Sequence, residues 1–435
     1  MKIGIIGLGF VGLSLTSVLA AKGHDVVGID SDIKKCNNII NGKLPFYEPD
    51  LDKNLKIGFG KKLKISNDIL LLKNHDFIFI TVGTPQKNDG SIELSMIKQA
   101  SASIGKIIGK SKTTPIILVK STVIPGTNEN VILPILEKES RKKNGKDFGL
   151  ISNPEFLQES TAIRDTKFPH AIVLGGSFDK YMKKAKKIFS SLHPKVPIII
   201  TNYQTAEMIK YANNSFLATK ISFINQLSNI CQNIPGANID DVAKTIGLDP
   251  RIGKLFLNAG PGYGGSCLPK DVKAIINFSS KVGVHPIFLQ AVEKTNQKQI
   301  EILIKLIEKN CGTIKGKNIS ILGLAFKPKT DDIRDSISLE IIEILLKKHA
   351  IVTVHDPMAT ENVKKKFKGK IKYAKTISEV LADSHCGIIM TAWPEYSKIT
   401  NKNLTKMKKR IIIDSRRILN NVNLDCNYTA IGIGN

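Results

Sequence analysis

The stretch KIGIIGLGFVGLSLTSVLAAKGHDVVGID, residues 2–30, decides the reading of the fold. Residues 2–6 form a short apolar strand, glycines follow at positions 7, 9 and 12, and an apolar helix is predicted to about Lys22. A second strand, HDVVGID, ends on Asp30, 18 positions after the last glycine (30 − 12). This is G-x-G-x-x-G between a strand and a helix, closed by an acidic residue near the expected offset. Gly7 permits the tight turn, Gly9 lets the backbone meet a pyrophosphate, and Gly12 lets helix and strand pack closely. Free N–H groups and the helix dipole favour the anion there. Asp30 is expected to hold both ribose hydroxyls and repel a 2′-phosphate, which selects NAD over NADP. A glycine-rich turn in some other α/β protein is the rival reading, but strand, helix, second strand and terminal acid agree against it.

The same run imitates a signal peptide, with a lysine, an apolar stretch and small residues. Its glycines and the strand that follows at once favour strand–loop–helix instead. No later stretch is apolar for long enough to span a bilayer, so a soluble protein without a membrane partner is expected. A length of 435 residues predicts two or three domains, and 42% hydrophobic with 23% charged residues is ordinary for globular chains. The net charge of +26 comes from 64 Lys and Arg against 38 Asp and Glu, spread throughout. Runs such as Lys183–Lys187 and Lys364–Lys366 read as solvated helix faces, and no nucleic-acid recognition motif accompanies them. The expected consequence is a field that attracts anionic small molecules, with no nucleic-acid partner. The six cysteines occur singly, a pattern that suits a reducing cytoplasm and argues against a metal site.

Two further strands, DFIFITV (76–82) and TPIILVKST (114–122), end in polar loops. In an open parallel sheet ligands bind outside the carboxyl ends of strands, so Thr84 and Thr122 are expected to face the cofactor. From about Tyr203 to Gln232 a long helix is predicted, apolar around most of its circumference and hence buried. Lys210 and Asn214 share one face of it. Burying a lysine is costly, and on the residues alone snorkelling to solvent is the simpler reading. After about Gly312 a second α/β pattern starts: KNISILGLAF, a helix over SLEIIEILLKKH, then AIVTVHDP, GIIMTA and RIIIDS. Its loop GLAFKPKTDDIRDS lacks G-x-G-x-x-G, so a second nucleotide-like ligand is expected there, but not a second NAD held the same way. The class is therefore α/β, with two Rossmann-like doubly wound domains (1–200 and 313–435) joined by a long central helix within 201–312.

Residues 260–271 read GPGYGGSCLPKD. Glycine at this density suits close approach of the backbone to a ligand. A helix is predicted to begin directly after Lys270, which sets Cys267 near a helix N-terminus and beside a cation. Both favour the thiolate that attacks carbonyls, and Asp271 is a candidate base or orienting group. A free cysteine is more often a small buried hydrophobe, the reading adopted for Cys36, Cys231, Cys311, Cys386 and Cys426. A dinucleotide site plus a cysteine nucleophile points to one sequence of steps. Hydride transfer turns an alcohol into an aldehyde, the thiolate traps it as a thiohemiacetal, a second hydride leaves, and water releases the acid from the thioester.

Taken together, GLGFVGL (7–13), TVGTP (81–85), STVIPGT (121–127), NPEFLQES (153–160), Lys210 with Asn214, the cysteine loop and GLAFKPKTDDIRDS (323–336) resemble the UDP-glucose/GDP-mannose dehydrogenase family over nearly the full length. The resemblance implies an NAD domain, a central helical dimerisation region and a C-terminal nucleotide-sugar domain. It also implies a homodimer and a four-electron oxidation of a nucleotide-sugar C6 alcohol, with UDP-glucose first and GDP-mannose or a UDP-N-acetylhexosamine as alternatives. Cys267 is then the nucleophile, Lys210 and Asn214 stabilise developing oxygen charge, Asp271 assists proton transfer, and Thr122 and Glu159 place the water. For the sugar nucleotide the pattern points to Glu155, Phe156, Leu157, Gln158 and Glu159, with Lys210 and Asn214. It adds Phe256, Leu257, Asn258, Ala259 and Gly260, then Gly264 and Lys327, with Arg251 reaching a partner subunit's site and Arg416 meeting a phosphate. For NAD it adds Val11, Lys35, Thr84, Thr122, Glu159, Lys270 and Arg334 to Gly7, Gly9, Gly12 and Asp30. Asn153-Pro154 resembles an N-cap with proline at N1, which predicts a helix carrying Glu155 and Glu159 on one face. Gln158, Phe10 and Leu268 depart from the commoner arginine, tyrosine and phenylalanine, and the leucine also resembles GDP-mannose members. A binding module without catalysis is the rival class; the intact Cys267, Lys210 and Asp271 argue against it.

Overall fold

The computed structural model describes every residue except 178, 420, 421 and 435. The chain forms two compact units, Met1–Asn213 and Asn214–Asn435. The first is built on eight strands: β1 (Lys2–Ile6), β2 (Asp25–Ile29), β3 (Leu63–Ser66), β4 (Phe77–Ile80), β5 (Ile116–Val119), β6 (Gly149–Ser152), β7 (Ile172–Gly175) and β8 (Ile198–Thr201). They pair in the order β3-β2-β1-β4-β5-β6-β7-β8. The pairings from β3 to β6 are parallel, β7 runs antiparallel to β6, and β8 is parallel to β7.

The apolar runs of β4 and β5 follow from burial on both faces. Phe77, Phe79, Ile116 and Leu118 pack into one layer with Leu13 and Leu15 of the helix Phe10–Ala21. Ile78, Ile80, Ile117 and Val119 pack into the other, with Ile97, Ile104 and Ile108 of the helix Ser95–Gly109. Each such side chain contributes about 2 kcal/mol by leaving water. The strand order reverses where β1 lies between β2 and β4, which places the open crevice at the carboxyl ends of β1 and β4.

The second unit carries a six-stranded parallel sheet: β9 (Asn318–Leu322), β10 (Ile351–His355), β11 (Lys372–Tyr373), β12 (Cys386–Ile389), β13 (Ile411–Asp414) and β14 (Asn427–Ala430). Its order is β11-β10-β9-β12-β13-β14, the same reversal about the first strand. β10 ends one residue before Asp356, which therefore opens the following turn.

The long helix runs Tyr203–Cys231, and the division between the units falls inside it. It is not buried all round. Met208, Phe216, Phe223 and Ile230 are exposed, whereas Tyr211, Ala218, Ile224 and Asn225 are buried. Within the second unit Ala218 packs with Tyr263, Val272 and Val292, and Ile224 packs with Ile239, Leu257 and Ala259. No described helix is long and apolar enough to cross a membrane.

Candidate active site

In the first unit the glycine fingerprint sorts by geometry. Gly7 has φ +96°, and a Cβ there would stand 2.8 Å from the Val82 backbone. Gly12 has no room either, because a Cβ would strike the Gly7 carbonyl oxygen and lie 2.5 Å from Thr81 Oγ1. Gly9 differs: a Cβ would meet nothing within 4 Å. Gly9 is therefore not required by packing, and the space beside it is where a ligand's phosphates can approach. Gly9 is also the N-cap of the helix Phe10–Ala21, which has no side-chain cap and no acidic residue in its first turn. The helix N-terminus thus keeps its positive end for an anion.

Asp30, buried at the end of β2, accepts hydrogen bonds at Oδ2 from Leu8 N (2.8 Å) and Lys35 Nζ (2.8 Å), and at Oδ1 from Asp32 N (3.0 Å). Lys35 lies at the start of the helix Ile33–Ile40, within its first turn. Thr84 Oγ1 donates to the Thr122 carbonyl oxygen at 2.9 Å, so the loops after β4 and β5 are tied together.

Lys210 does not snorkel. It is 4% exposed, and its ammonium pairs with Glu155 Oε1 at 3.0 Å and lies 5.7 Å from the Phe156 ring centre. The helix expected from Pro154 does not form: residues 153–158 are irregular, a turn follows, and the helix is Ala162–Lys167. Asn153 spends its amide on the Val173 carbonyl oxygen (2.8 Å) instead of capping, and Glu155 Oε2 accepts from Leu157 N at 2.5 Å. Ser160 takes φ +70°, held by Glu48, whose carboxylate accepts the Ser160 N–H at 2.8 Å. Glu155 and Glu159 therefore stand on a shaped loop and not on one helical face.

In the second unit the helix Leu268–Lys281 begins three residues earlier than expected from the sequence, which makes Cys267 its N-cap. The Cys267 thiol is exposed and in no disulfide, with Ser266 Oγ 3.6 Å from the sulfur. Position at a helix N-terminus favours the thiolate. Of the other five cysteines, four are buried and Cys426 is half-buried. Asp271, one turn into this helix, is buried between two donors: Lys270 Nζ reaches Oδ1 at 2.5 Å and Asn214 Nδ2 reaches Oδ2 at 2.6 Å. Lys270 thus turns to the carboxylate.

The loop that the sequence assigns to the sugar nucleotide opens on Phe256, which takes φ +65°. Leu257 and Ala259 are buried, and Gly260 N donates to Asn225 Oδ1 at 2.7 Å. The Arg416 guanidinium lies over Gly260, where a Cβ would be 2.9 Å from its Nη1, and its Nε donates to the Met390 carbonyl oxygen at 2.8 Å. Burial lowers the pKa of Arg416 to about 10. Gly265 N donates to the Arg334 carbonyl oxygen at 3.1 Å, while the Arg334 side chain pairs with Asp332. Arg251 is exposed and paired with Asp249, and Lys327 lies 5.8 Å from the Phe326 ring centre.

Five residues beside these sites escaped the sequence reading. Glu48 and Asn225 hold loops already named. Lys120, at the end of β5, has its pKa lowered to about 8 by burial, with Glu155 opposing and Lys210 adding to the shift. Glu207 accepts from Gly126 N (2.6 Å), Asn128 N (2.8 Å) and Asn128 Nδ2 (2.7 Å), bracing the segment after Thr122; burial raises its pKa to about 7. Asn296 holds the cysteine loop. For Lys120 the signal was a lysine closing an apolar strand; for the others, sequence distance hid the partner.

Residues 1–193, 204–298 and 320–421 match, in turn, the NAD binding domain, the central domain and the UDP binding domain of the UDP-glucose/GDP-mannose dehydrogenase family. The UDP-glucose 6-dehydrogenase AglM of Haloferax volcanii is 39% identical over 96% of this chain and 97% of its own length. The chain belongs to this family. A UDP-glucose 6-dehydrogenase of Rickettsia conorii is likewise 39% identical, over 99% of each chain. The structure of a UDP-glucose dehydrogenase from Pyrobaculum islandicum superposes with a TM-score of 0.92 at 32% identity, covering 100% of this chain and 98% of that one. The family's cofactor is NAD, and the residues fit it: the open side of Gly9, the uncapped helix N-terminus and the Asp30 carboxylate at the strand end.

Proposed function

We propose that this family member oxidises C6 of UDP-glucose to the carboxylate of UDP-glucuronate, removing four electrons per sugar through Cys267. The observation that carries the reading is the exposed Cys267 thiol at a helix N-terminus, with a buried Asp271 locked between Asn214 and Lys270 in the following turn. NAD supplies the hydride acceptor for both oxidations. Asp271 takes part in moving the hydroxyl proton. The Cys267 thiolate adds to the aldehyde carbon, forming the C–S bond of a thiohemiacetal whose oxygen charge Lys210 and Asn214 stabilise. Once the thioester has formed, water placed by Thr122 and Glu159 attacks its carbonyl, and the C–S bond breaks to return the thiolate.

The sugar nucleotide is assigned to Glu155–Glu159, Lys210, Asn214, Phe256–Gly260, Gly264 and Lys327, with Arg251 reaching the site of a second subunit and Arg416 on a phosphate. NAD is assigned to Gly7, Gly9, Val11, Gly12, Asp30, Lys35, Thr84, Thr122, Glu159, Lys270 and Arg334. UDP-glucose is favoured because the relatives at 39% identity carry that substrate in their names. We read residues 1–200, 201–312 and 313–435 as the cofactor, dimerisation and sugar-nucleotide parts. A homodimer in the cytoplasm is supported by three observations. Phe216, Phe223 and Ile230 recur every seven residues on one helix and are 64%, 53% and 48% exposed. Arg251 points to solvent, and all six cysteines lie outside disulfides. The test compares UDP-glucose, GDP-mannose and UDP-N-acetylmannosamine as substrates with NAD, following absorbance at 340 nm and product mass. UDP-glucose is expected to give the highest kcat/KM by at least about tenfold; a higher value for either rival moves the assignment to it.

A further inference from the structure

The cysteine loop is a chain of glycines whose backbone needs fixing from outside, since fixing glycine carries a high entropy cost. Gly262 and Gly265 have φ of +117° and +84°. Between the Gly260 and Gly265 anchors, the side chain of Asn296 takes hold of the loop. Asn296, on the helix Ile287–Cys311, accepts the Tyr263 N–H at Oδ1 (2.8 Å) and donates Nδ2 to the Tyr263 carbonyl oxygen (3.0 Å). Both polar ends of the carboxamide are used on one residue, which fixes position and orientation together. The contact is close, because a Cβ on Gly262 would stand 2.8 Å from Asn296 Oδ1 and 2.7 Å from Ile337 Cδ1. The Tyr263 ring packs with Ala218 and with Val272 of the helix that Cys267 caps. Its buried hydroxyl finds no hydrogen-bond partner among the described residues, so the Tyr263 phenol contributes packing but no polar anchor.

We propose that Asn296 is a positioning residue: its carboxamide clamps the Tyr263 peptide and so sets the Cys267 sulfur at the N-terminus of its helix. The proposal rests on the reading of Cys267 as nucleophile, and predicts that loosening the clamp withdraws the sulfur from the helix dipole. Cys267 is the one exposed cysteine among the described residues, so alkylation by iodoacetamide, read by peptide mass spectrometry against pH, reports its thiolate selectively. In the full-length enzyme, Asn296→Ala is expected to raise the pH midpoint of Cys267 alkylation by about one unit and lower kcat roughly tenfold or more, with NAD affinity unchanged. Asn296→Asp keeps the acceptor for Tyr263 N and loses the donor, and falls between. An unmoved midpoint in Asn296→Ala overturns the clamp; if that variant does not fold, an unmoved midpoint in Asn296→Asp does so. Cys267→Ser separates the two readings. Uronate formation by that variant removes the nucleophile assignment, while the alkylation comparison still decides the clamp.

Discussion

The two sheets begin alike and then part. Gly7 follows β1 and donates to the Ile29 carbonyl oxygen at 2.8 Å; Gly323 follows β9, at φ +101°, and donates to the His355 carbonyl oxygen at 2.8 Å. A Cβ on Gly323 would stand 2.6 Å from Thr391 N, as one on Gly7 would crowd Val82. Each second strand leads to an aspartate. Asp30 has three donors: two backbone N–H groups and the side-chain ammonium of Lys35. Asp356 has five. Leu324 N, Ala325 N and Trp393 Nε1 fill its Oδ2, while Met358 N and Ala359 N fill Oδ1. The same residue type at the same place is thus a candidate ligand group in one sheet and an internal pin in the other.

The segment after each glycine accounts for the division. Beyond Gly9 the helix starts at once and aims its N-terminus at the strand ends. Beyond Gly323 the helix waits until Ile337, and the intervening loop carries Lys327 and Arg334 and braces the cysteine loop at Gly265. One strand–turn geometry is therefore followed by an uncapped helix N-terminus in the first sheet and by a loop that braces Gly265 in the second.

The largest expected effect comes from Asp356→Ala, which strands five donors, four of them buried. It should lower unfolding stability by about 4 kcal/mol in denaturant titrations, with NAD affinity of the folded enzyme unchanged. Loss of NAD binding with stability intact would make Asp356 a ligand group and not an internal pin. Asp30→Ala should do the reverse, weakening NAD binding about tenfold or more by fluorescence titration while costing less stability. Unchanged affinity would remove the ribose-diol argument.

Much of this was legible in the sequence because it is local. The glycine spacing, the acid 18 positions on and the apolar strand runs depend on neighbours, and they place β1, the first helix, β2 and Asp30. The second sheet was readable for the same reason, although its loop carries no fingerprint. The error at Asn153-Pro154 was long-range in origin. Asn153 reaches Val173 across the sheet, and Ser160 is held in a left-handed turn by Glu48, 112 residues away in sequence. Lys210 was ambiguous until Glu155 appeared beside it, because a buried ammonium needs its counter-charge and the pair lies on separate elements. The long helix looked buried all round because composition alone does not distinguish a core face from an exposed apolar one.

A more gradual effect is a pH dependence that Glu207 brings to the first unit. Burial raises the pKa of Glu207 to about 7, so the folded protein binds a proton that the unfolded chain has released above the ordinary carboxylate range. Stability should therefore fall as pH rises between about 4.5 and 7, by on the order of 1 kcal/mol per pH unit at most. Glu207→Gln should flatten that slope in thermal melts taken across the window; a slope that persists assigns it to other groups.

On the proposed route Cys267 holds the sugar covalently, so that both oxidations occur before release. Counting NADH formed against UDP-glucuronate recovered, with UDP-glucose limiting, tests this most directly. Two NADH per sugar are expected, with no free aldehyde trapped by hydrazine; one NADH per sugar with aldehyde in solution would overturn the thioester route.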